Sequence, residues 1–210
     1  MHPLPHPLPQ PQAGRRAVAV GLPALLVALL AAGCAGPLPP VQWLRLPAEP
    51  AGAAAAVARP AAGPAWQLMA PVPLPGHLDR DALLVPQGQA GLQPLGGARW
   101  AEPLRDAVPR LLRQDLGRLL GAPPWTAPLP PGVRPARQLR LEISVLDVGA
   151  DGRSVRLQAR WSLADPSGTT APQLGEAAFI TNASGADADA LAVAHRQALW
   201  QLAQRIAATP

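Results

Sequence analysis

Two neighbouring stretches of the chain, residues 139–145 and 155–163, alternate strictly between apolar and polar side chains. A period of two is typical of strands that bury one face, and the short glycine-containing segment between them predicts an antiparallel hairpin. Both apolar sets have odd numbers, so they share a face only if paired positions sum to an even number. A three-residue loop at 150–152, ending on a left-handed glycine, meets this condition and predicts Leu141 opposite Trp161.

Shorter apolar runs predict further strands on both sides of this hairpin. Prolines within the run at 66–74 favour a position at the edge of a sheet. Two segments rich in Ala, Gly and Pro, 48–65 and 122–135, have little to bury and are predicted as loops. The further strands are predicted at residues 41–47, 66–74, 82–86, 91–95 and 175–181.

Two segments have the 3.6-residue period of amphipathic helices, 100–120 and 187–207. Pro109 lies inside the first, so that helix should kink or begin its regular part there, and Gly121 should end it. Together with the strands, the pattern predicts an α+β fold, a mainly antiparallel sheet with both helices packed on one face. The apolar positions are Leu104, Val108, Leu111, Leu112 and Leu119 in the first helix, and Leu191, His195, Ala198, Leu199, Leu202 and Ile206 in the second.

Trp200 falls on the opposite side of the second helix from its apolar positions. A large aromatic side chain left in water is a candidate for partner contact, since tryptophan is enriched among binding hot spots. The alternative is that one of the two long loops folds over it within the monomer. Trp100, just before the first helix, should instead pack against the sheet as a structural residue.

The N-terminal region has the order of a secretory signal: a basic pair, an apolar stretch at 17–32, small residues and then Cys34. A cysteine directly after small residues at the cleavage point is typical of a bacterial lipoprotein. We therefore expect a signal peptide at 1–33, the lipidated Cys34 with a spacer at 34–40, and a single domain at 41–210. The alternative is a cleaved signal that happens to end near a cysteine.

Charge and composition exclude one large class of partner. The chain has 18 basic and 13 acidic residues, and every basic residue is arginine. Removal of the signal takes two arginines, leaving 18 − 2 − 13 = +3. The arginines are scattered rather than clustered with aromatic residues, so no nucleic-acid binding is expected.

Few residues of the mature chain suggest catalysis. His77 lies close in sequence to Asp79 and Asp81, which could form a metal or acid–base site, although a polar turn accounts for the same residues. His195 lies on an apolar helical face and is expected in the core. Nucleophile, phosphate-binding and metal-ligand motifs are missing from the sequence, so we expect no catalytic residue, cofactor or metal.

Three short motifs, in this order, resemble those of PqiC/YmbA-type lipoproteins, the auxiliary lipoproteins of ABC-type transport. They are WLRLP at 43–47, PGHLDR at 75–80 and WAEPL at 100–104, preceded by the lipobox at Cys34 and followed by the β-meander and the C-terminal helix. The resemblance covers most of the mature chain. The long loops at 48–65 and 122–135 depart from the family pattern.

The resemblance implies a non-catalytic auxiliary component of an ABC/MCE-type system that moves lipids across the cell envelope. The partners of such a component would be a periplasmic MCE-domain protein and an ABC permease. Association of the chain with copies of itself, as a homo-oligomer, is a further possibility. Ala35 is not the aspartate usual for inner-membrane retention, so the expected location is the outer membrane, lipid-anchored and facing the periplasm. The alternatives are a structural or assembly lipoprotein of the envelope and an envelope hydrolase with its site near His77.

Overall fold

The structure is a computed structural model, and it describes residues 40–53 and 64–209. The predicted signal peptide and Cys34 lie outside the described residues, as does the middle of the loop predicted at 48–65. No helix among the described residues is long and apolar enough to cross a membrane.

In the part of the chain that the structure describes, seven strands and two α-helices form an α+β domain with one hydrophobic core. The fold class is confirmed, but the strands form two mixed sheets, ordered β1-β4-β3 and β2-β5-β6-β7. The elements are β1 Gln42–Leu44, β2 Trp66–Leu68, a 3-10 helix Gly76–Asp79, β3 Ala82–Gln87, β4 Gly91–Trp100, α1 Leu104–Leu120, β5 Arg137–Val148, β6 Ser154–Ala164, β7 Gln173–Asn182 and α2 Ala188–Ala207.

The mixed character of both sheets comes from their two shortest strands. β1 pairs in parallel with β4, and β2 pairs in parallel with β5, whereas all other pairs are antiparallel. Each short strand joins a partner more than fifty residues away, which a local pattern of apolar residues cannot specify. β2 is nevertheless an edge strand, as its flanking prolines predict.

The helices are stacked on each other, but only α2 lies against the four-stranded sheet, so the predicted packing of both helices on one sheet face is wrong for α1. α2 packs against β6 and β7, and α1 packs against α2. α1 runs without a break from Leu104 to Leu120 with Pro109 inside it, so the regular helix does not begin at Pro109, and left-handed Gly121 ends it as predicted. α2 starts as predicted at Asp187, whose side chain accepts a hydrogen bond from the N–H of Ala190 at 2.9 Å.

The hairpin of β5 and β6 has the predicted register, with Leu141 opposite Trp161. The three-residue loop is wrong, because the N–H of Gly149 donates to the carbonyl of Ser154 at 2.7 Å and leaves four residues between them. A bulge between Ile143 and Val145 absorbs the extra residue. The apolar residues of β5 and β6 therefore lie opposite each other on both sides of the bulge.

Trp100 is buried, as a structural residue should be, but it is the last residue of β4 and thus part of a sheet, not a residue that packs against the sheet from outside. Its ring meets the ring of His195 edge to face, with 5.6 Å between centroids and 73° between planes. The strand that leads into α1 is thus packed against α2 by an aromatic contact.

Gly175 of β7 lies opposite Trp161, and a Cβ added there would lie 2.2 Å from the indole ring. Gly175→Ala should therefore destabilise the domain by about 1–3 kcal/mol, because the methyl group displaces a buried ring. Urea unfolding of the variant measures this loss. Gly76→Ala is the matched control, since an added Cβ there meets nothing within 4 Å. Equal urea midpoints of unfolding for Gly175→Ala and wild type would contradict the close packing of Gly175 against Trp161.

Candidate partner interface

A fully buried ion pair joins the two helices. Asp115 of α1 and Arg196 of α2 are both 0% exposed, and they form a bidentate pair at 2.7 and 2.6 Å. The same guanidinium donates from Nε to the carbonyl of Pro47 at 2.8 Å and from Nη2 to that of Ala48 at 3.3 Å. The arginine therefore binds the segment after β1 to both helices at once.

This ion pair is absent from the features predicted from the sequence. Asp115 continues the spacing of Leu111 and Leu112 in the apolar stripe of α1. A carboxylate at such a position needs a buried cation, because an unpaired buried charge is costly. A carboxylate in the apolar stripe of α1 thus predicts a buried arginine as its partner, although the sequence does not indicate which arginine.

Trp200 does not lie in solvent as predicted. The side chain is 3% exposed, so the exposure on which its role in partner contact depended is wrong. It follows Arg196 by one helical turn, and residues four apart on a helix share a side. Arg196 on that side binds the segment after β1, in which Pro50 and Ala53 are buried. Trp200 is thus buried within the monomer, as the alternative requires, and its cover by the loop at 48–65 stays a prediction.

His77, Asp79 and Asp81 line one open cavity of about 780 Å³, but each of the three side chains has a different partner. Nε2 of His77 lies 2.5 Å from Oδ1 of Asp147, while Asp79 and Asp81 face Arg105 and Arg99 at 3.8 and 2.8 Å. Over residues 40–53 and 64–209, no group of three or more His, Cys, Asp or Glu side chains could hold a metal ion. His77 instead joins the 3-10 helix to β5, consistent with a polar turn.

His195 lies in the core, as its helical face predicts. Its Nδ1 is 2.8 Å from the carbonyl oxygen of Leu191, and burial lowers the pKa of the imidazole. The ring is therefore a neutral packing residue between α2 and Trp100.

The outer face of the sheet β2-β5-β6-β7 carries a groove of about 840 Å³. Outward positions of three adjacent strands form its polar floor, with Arg160 bound to Glu142 at 3.0 Å and paired in register with Glu176. Apolar side chains border this charged strip. The lining includes Met69, Pro71, Arg140, Glu142, Arg160 and Leu174.

β7 forms one border of this face. Within the described residues, no strand pairs with its outer side, which leaves a ten-residue edge without proline or lysine. Leu174 and Ile180 are 80% and 72% exposed, the highest values among the exposed large apolar residues of the described chain. An unprotected edge flanked by apolar side chains is suited to the addition of a strand from another chain.

The described part of the chain is a small α+β domain with an exposed sheet face and an open edge strand. The chain belongs to the family of ABC-type transport auxiliary lipoprotein components, whose model matches residues 45–207. Family membership confirms the resemblance seen in the sequence and makes the chain a lipoprotein associated with an ABC transport system. It also implies attachment at a membrane of the cell envelope.

Two solved structures share the fold. The crystal structure of an uncharacterized protein covers 80% of this chain and 96% of its own, with a TM-score of 0.61 and 17% identity. A Xanthomonas campestris protein of the family DUF330 covers 80% of this chain and 93% of its own, with a TM-score of 0.56 and 18% identity. A search of curated proteins gives no match.

Removal of Arg196 tests the buried pair. Arg196→Met should lower the free energy of unfolding by about 3–5 kcal/mol, because the buried carboxylate of Asp115 then keeps only the longer contact with Arg118, at 3.7 Å. Asp115→Leu combined with Arg196→Met should recover much of that loss. Denaturant titration measures both variants.

Arg160→Met is the matched control, since the pair of Arg160 with Glu142 lies at the surface. Its cost should not exceed about 1 kcal/mol. A loss in Arg196→Met as small as in this control would contradict the proposed importance of the buried pair.

Proposed function

We propose that the protein is a non-catalytic auxiliary component of an ABC/MCE-type system that transports lipids across the cell envelope. The observation that carries this proposal is the family match over residues 45–207, directly downstream of Cys34. Cys34 would carry the lipid, and the chain would face the periplasm from the outer membrane, since Ala35 is not an aspartate.

The partner would be a periplasmic MCE-domain protein that docks on the edge of β7 and the adjoining groove. Three features support this surface. The edge strand can accept main-chain hydrogen bonds and donate them, the exposed Leu174 and Ile180 can be buried by a partner, and Arg160 with its flanking carboxylates supplies a charged strip that can fix the register. Docking there leaves the core and both helices undisturbed.

A non-catalytic role agrees with how the polar residues are used. Asp115 and Arg196 hold the helices together, and His77 and Asp147 connect two elements. Each of these groups has a structural partner at hydrogen-bond distance. An envelope hydrolase near His77 would need Asp79 and Asp81 to share in its site, whereas both lie near arginines.

Lipid attachment is tested at the predicted cleavage point. Cys34→Ser should abolish acylation and leave unprocessed precursor, because a hydroxyl group cannot form the thioether that carries the lipid. Mass spectrometry of membrane-extracted protein measures both effects. A wild-type mature N-terminus at any residue other than Cys34 would show that the anchor is wrongly assigned.

Partner docking is tested with the double variant Leu174→Asp/Ile180→Asp. Burial of either charge without a partner is unfavourable, so the variant should lose at least about 2 kcal/mol of binding, or roughly thirtyfold in Kd. The measurement is affinity purification from native membranes with quantitation of the MCE-domain protein and the ABC permease.

Leu92→Asp is the matched control, because Leu92 is also exposed but lies in the other sheet. Recovery of the transport partners by this control and not by the double variant supports the docking surface. Equal recovery by both would contradict it. Recovery of only this chain, or of envelope proteins unrelated to transport, would favour a structural or assembly lipoprotein.

A further inference from the structure

The first described segment of the chain has one solvent-facing side of unusual composition. Leu44 and Leu46 are buried, whereas the alternate residues Val41, Trp43 and Arg45 are exposed. Successive side chains of an extended segment point to opposite sides, so the three exposed residues lie together. An aliphatic, an aromatic and a cationic side chain are thus presented to solvent in a row.

Trp43 is the most exposed tryptophan of the chain, at 64%. It lies on β1, an edge strand, and its neighbour in register on β4 is Arg99, whose guanidinium is held by Asp81 at 2.8 Å. The hydrophobic core already contains Leu44 and Leu46 from the other side of this segment. Packing within the domain therefore does not account for Trp43.

This segment is firmly attached to the domain. The N–H of Ala101 donates to the carbonyl of Leu44 at 2.7 Å, and Nε of Arg196 donates to that of Pro47 at 2.8 Å. β1 pairs in parallel with β4 over its whole length. A contact made by Trp43 therefore restrains the whole domain, because β1 is held to the rest of the fold.

The position of the proposed lipid restricts where this surface can be. Cys34 precedes Pro40 by 40 − 34 = 6 residues, which span at most about 20 Å when fully extended. Residues 41–45 are thus the described residues nearest along the chain to a lipid carried by Cys34. Tryptophan is favoured at the boundary of water and hydrocarbon, and arginine near anionic headgroups.

We infer that Val41, Trp43 and Arg45 form a second membrane contact, in which Trp43 enters the headgroup region and Arg45 binds lipid phosphate. This inference rests on the proposed lipid attachment at Cys34. This contact adds to the attachment that the lipid itself provides. Because β1 is rigidly held, the contact also orients the domain relative to the bilayer.

Bromolipid quenching of tryptophan fluorescence tests the contact in the full, lipidated protein. The vesicles consist of phosphatidylethanolamine and phosphatidylglycerol with added brominated phosphatidylcholine. Wild-type emission should be quenched, and Trp43→Phe should lose most of that quenching because it removes the fluorophore in contact with lipid. Arg45→Glu should reduce the quenching on these anionic vesicles.

Trp125→Phe is the matched control, because Trp125 is also exposed but lies between α1 and β5. It should keep the wild-type quenching. Unchanged quenching in Trp43→Phe would overturn the inference. It would also be overturned if the wild-type protein is not quenched and Trp43→Ala no longer recovers the MCE-domain protein, because Trp43 would then contact the partner and not lipid. Circular dichroism confirms that the variants are folded.

Mass spectrometry of the same preparations separates the two levels of the account. If Cys34 carries the lipid and the wild-type protein is not quenched, only the membrane contact is wrong. If Cys34 is not acylated, the proposed anchor is wrong and the inference falls with it.

Discussion

The bidentate pair of Arg196 and Asp115 is the interaction on which the arrangement of this domain depends. Removing both charges from water is costly, and the cost is offset only because the carboxylate and two main-chain carbonyls satisfy the guanidinium. Those partners come from α1 and from the segment after β1. The pair can form only when these elements and α2 have assembled, so it favours one packing of the helices over others.

The elements that this ion pair joins belong to the packed part of the domain, which differs from its exposed surfaces. The helices, the inner sides of the strands and the segment after β1 share one core. The outer face of the four-stranded sheet and the free side of β7 are the surfaces proposed for a partner, and the exposed side of β1 is the surface proposed for the membrane. A domain with these two surfaces can connect a membrane to a second protein without moving parts.

The sequence pattern predicts those features that depend on neighbouring residues. The register of the hairpin follows from side-chain alternation, and the N-cap of α2 follows from Asp187. The loop of the hairpin was predicted one residue too short, yet the bulge near Ser144 compensates for the difference. Burial of the apolar face therefore determines the register more strongly than the length of the turn.

Features that depend on distant contacts could not be predicted in the same way. The pairing of β1 with β4 and of β2 with β5 joins segments far apart in sequence. Trp200 lies on the polar side of α2 by periodicity, yet it is buried, because tertiary packing and not the helical period decides which sides of a helix meet solvent. For the docking surface, the alternation of β7 indicates an exposed side, but not that the strand lies at an edge.

Site-specific photocrosslinking in intact envelopes tests the central claim, docking of a transport partner on β7, most directly. A photoreactive amino acid replaces Leu174, Ile180 or, as the comparison on the other sheet, Leu92. The account predicts crosslinks from the two β7 positions to an MCE-domain protein and none from position 92. Crosslinks to that protein from position 92 alone, or from none of the three positions, would contradict it.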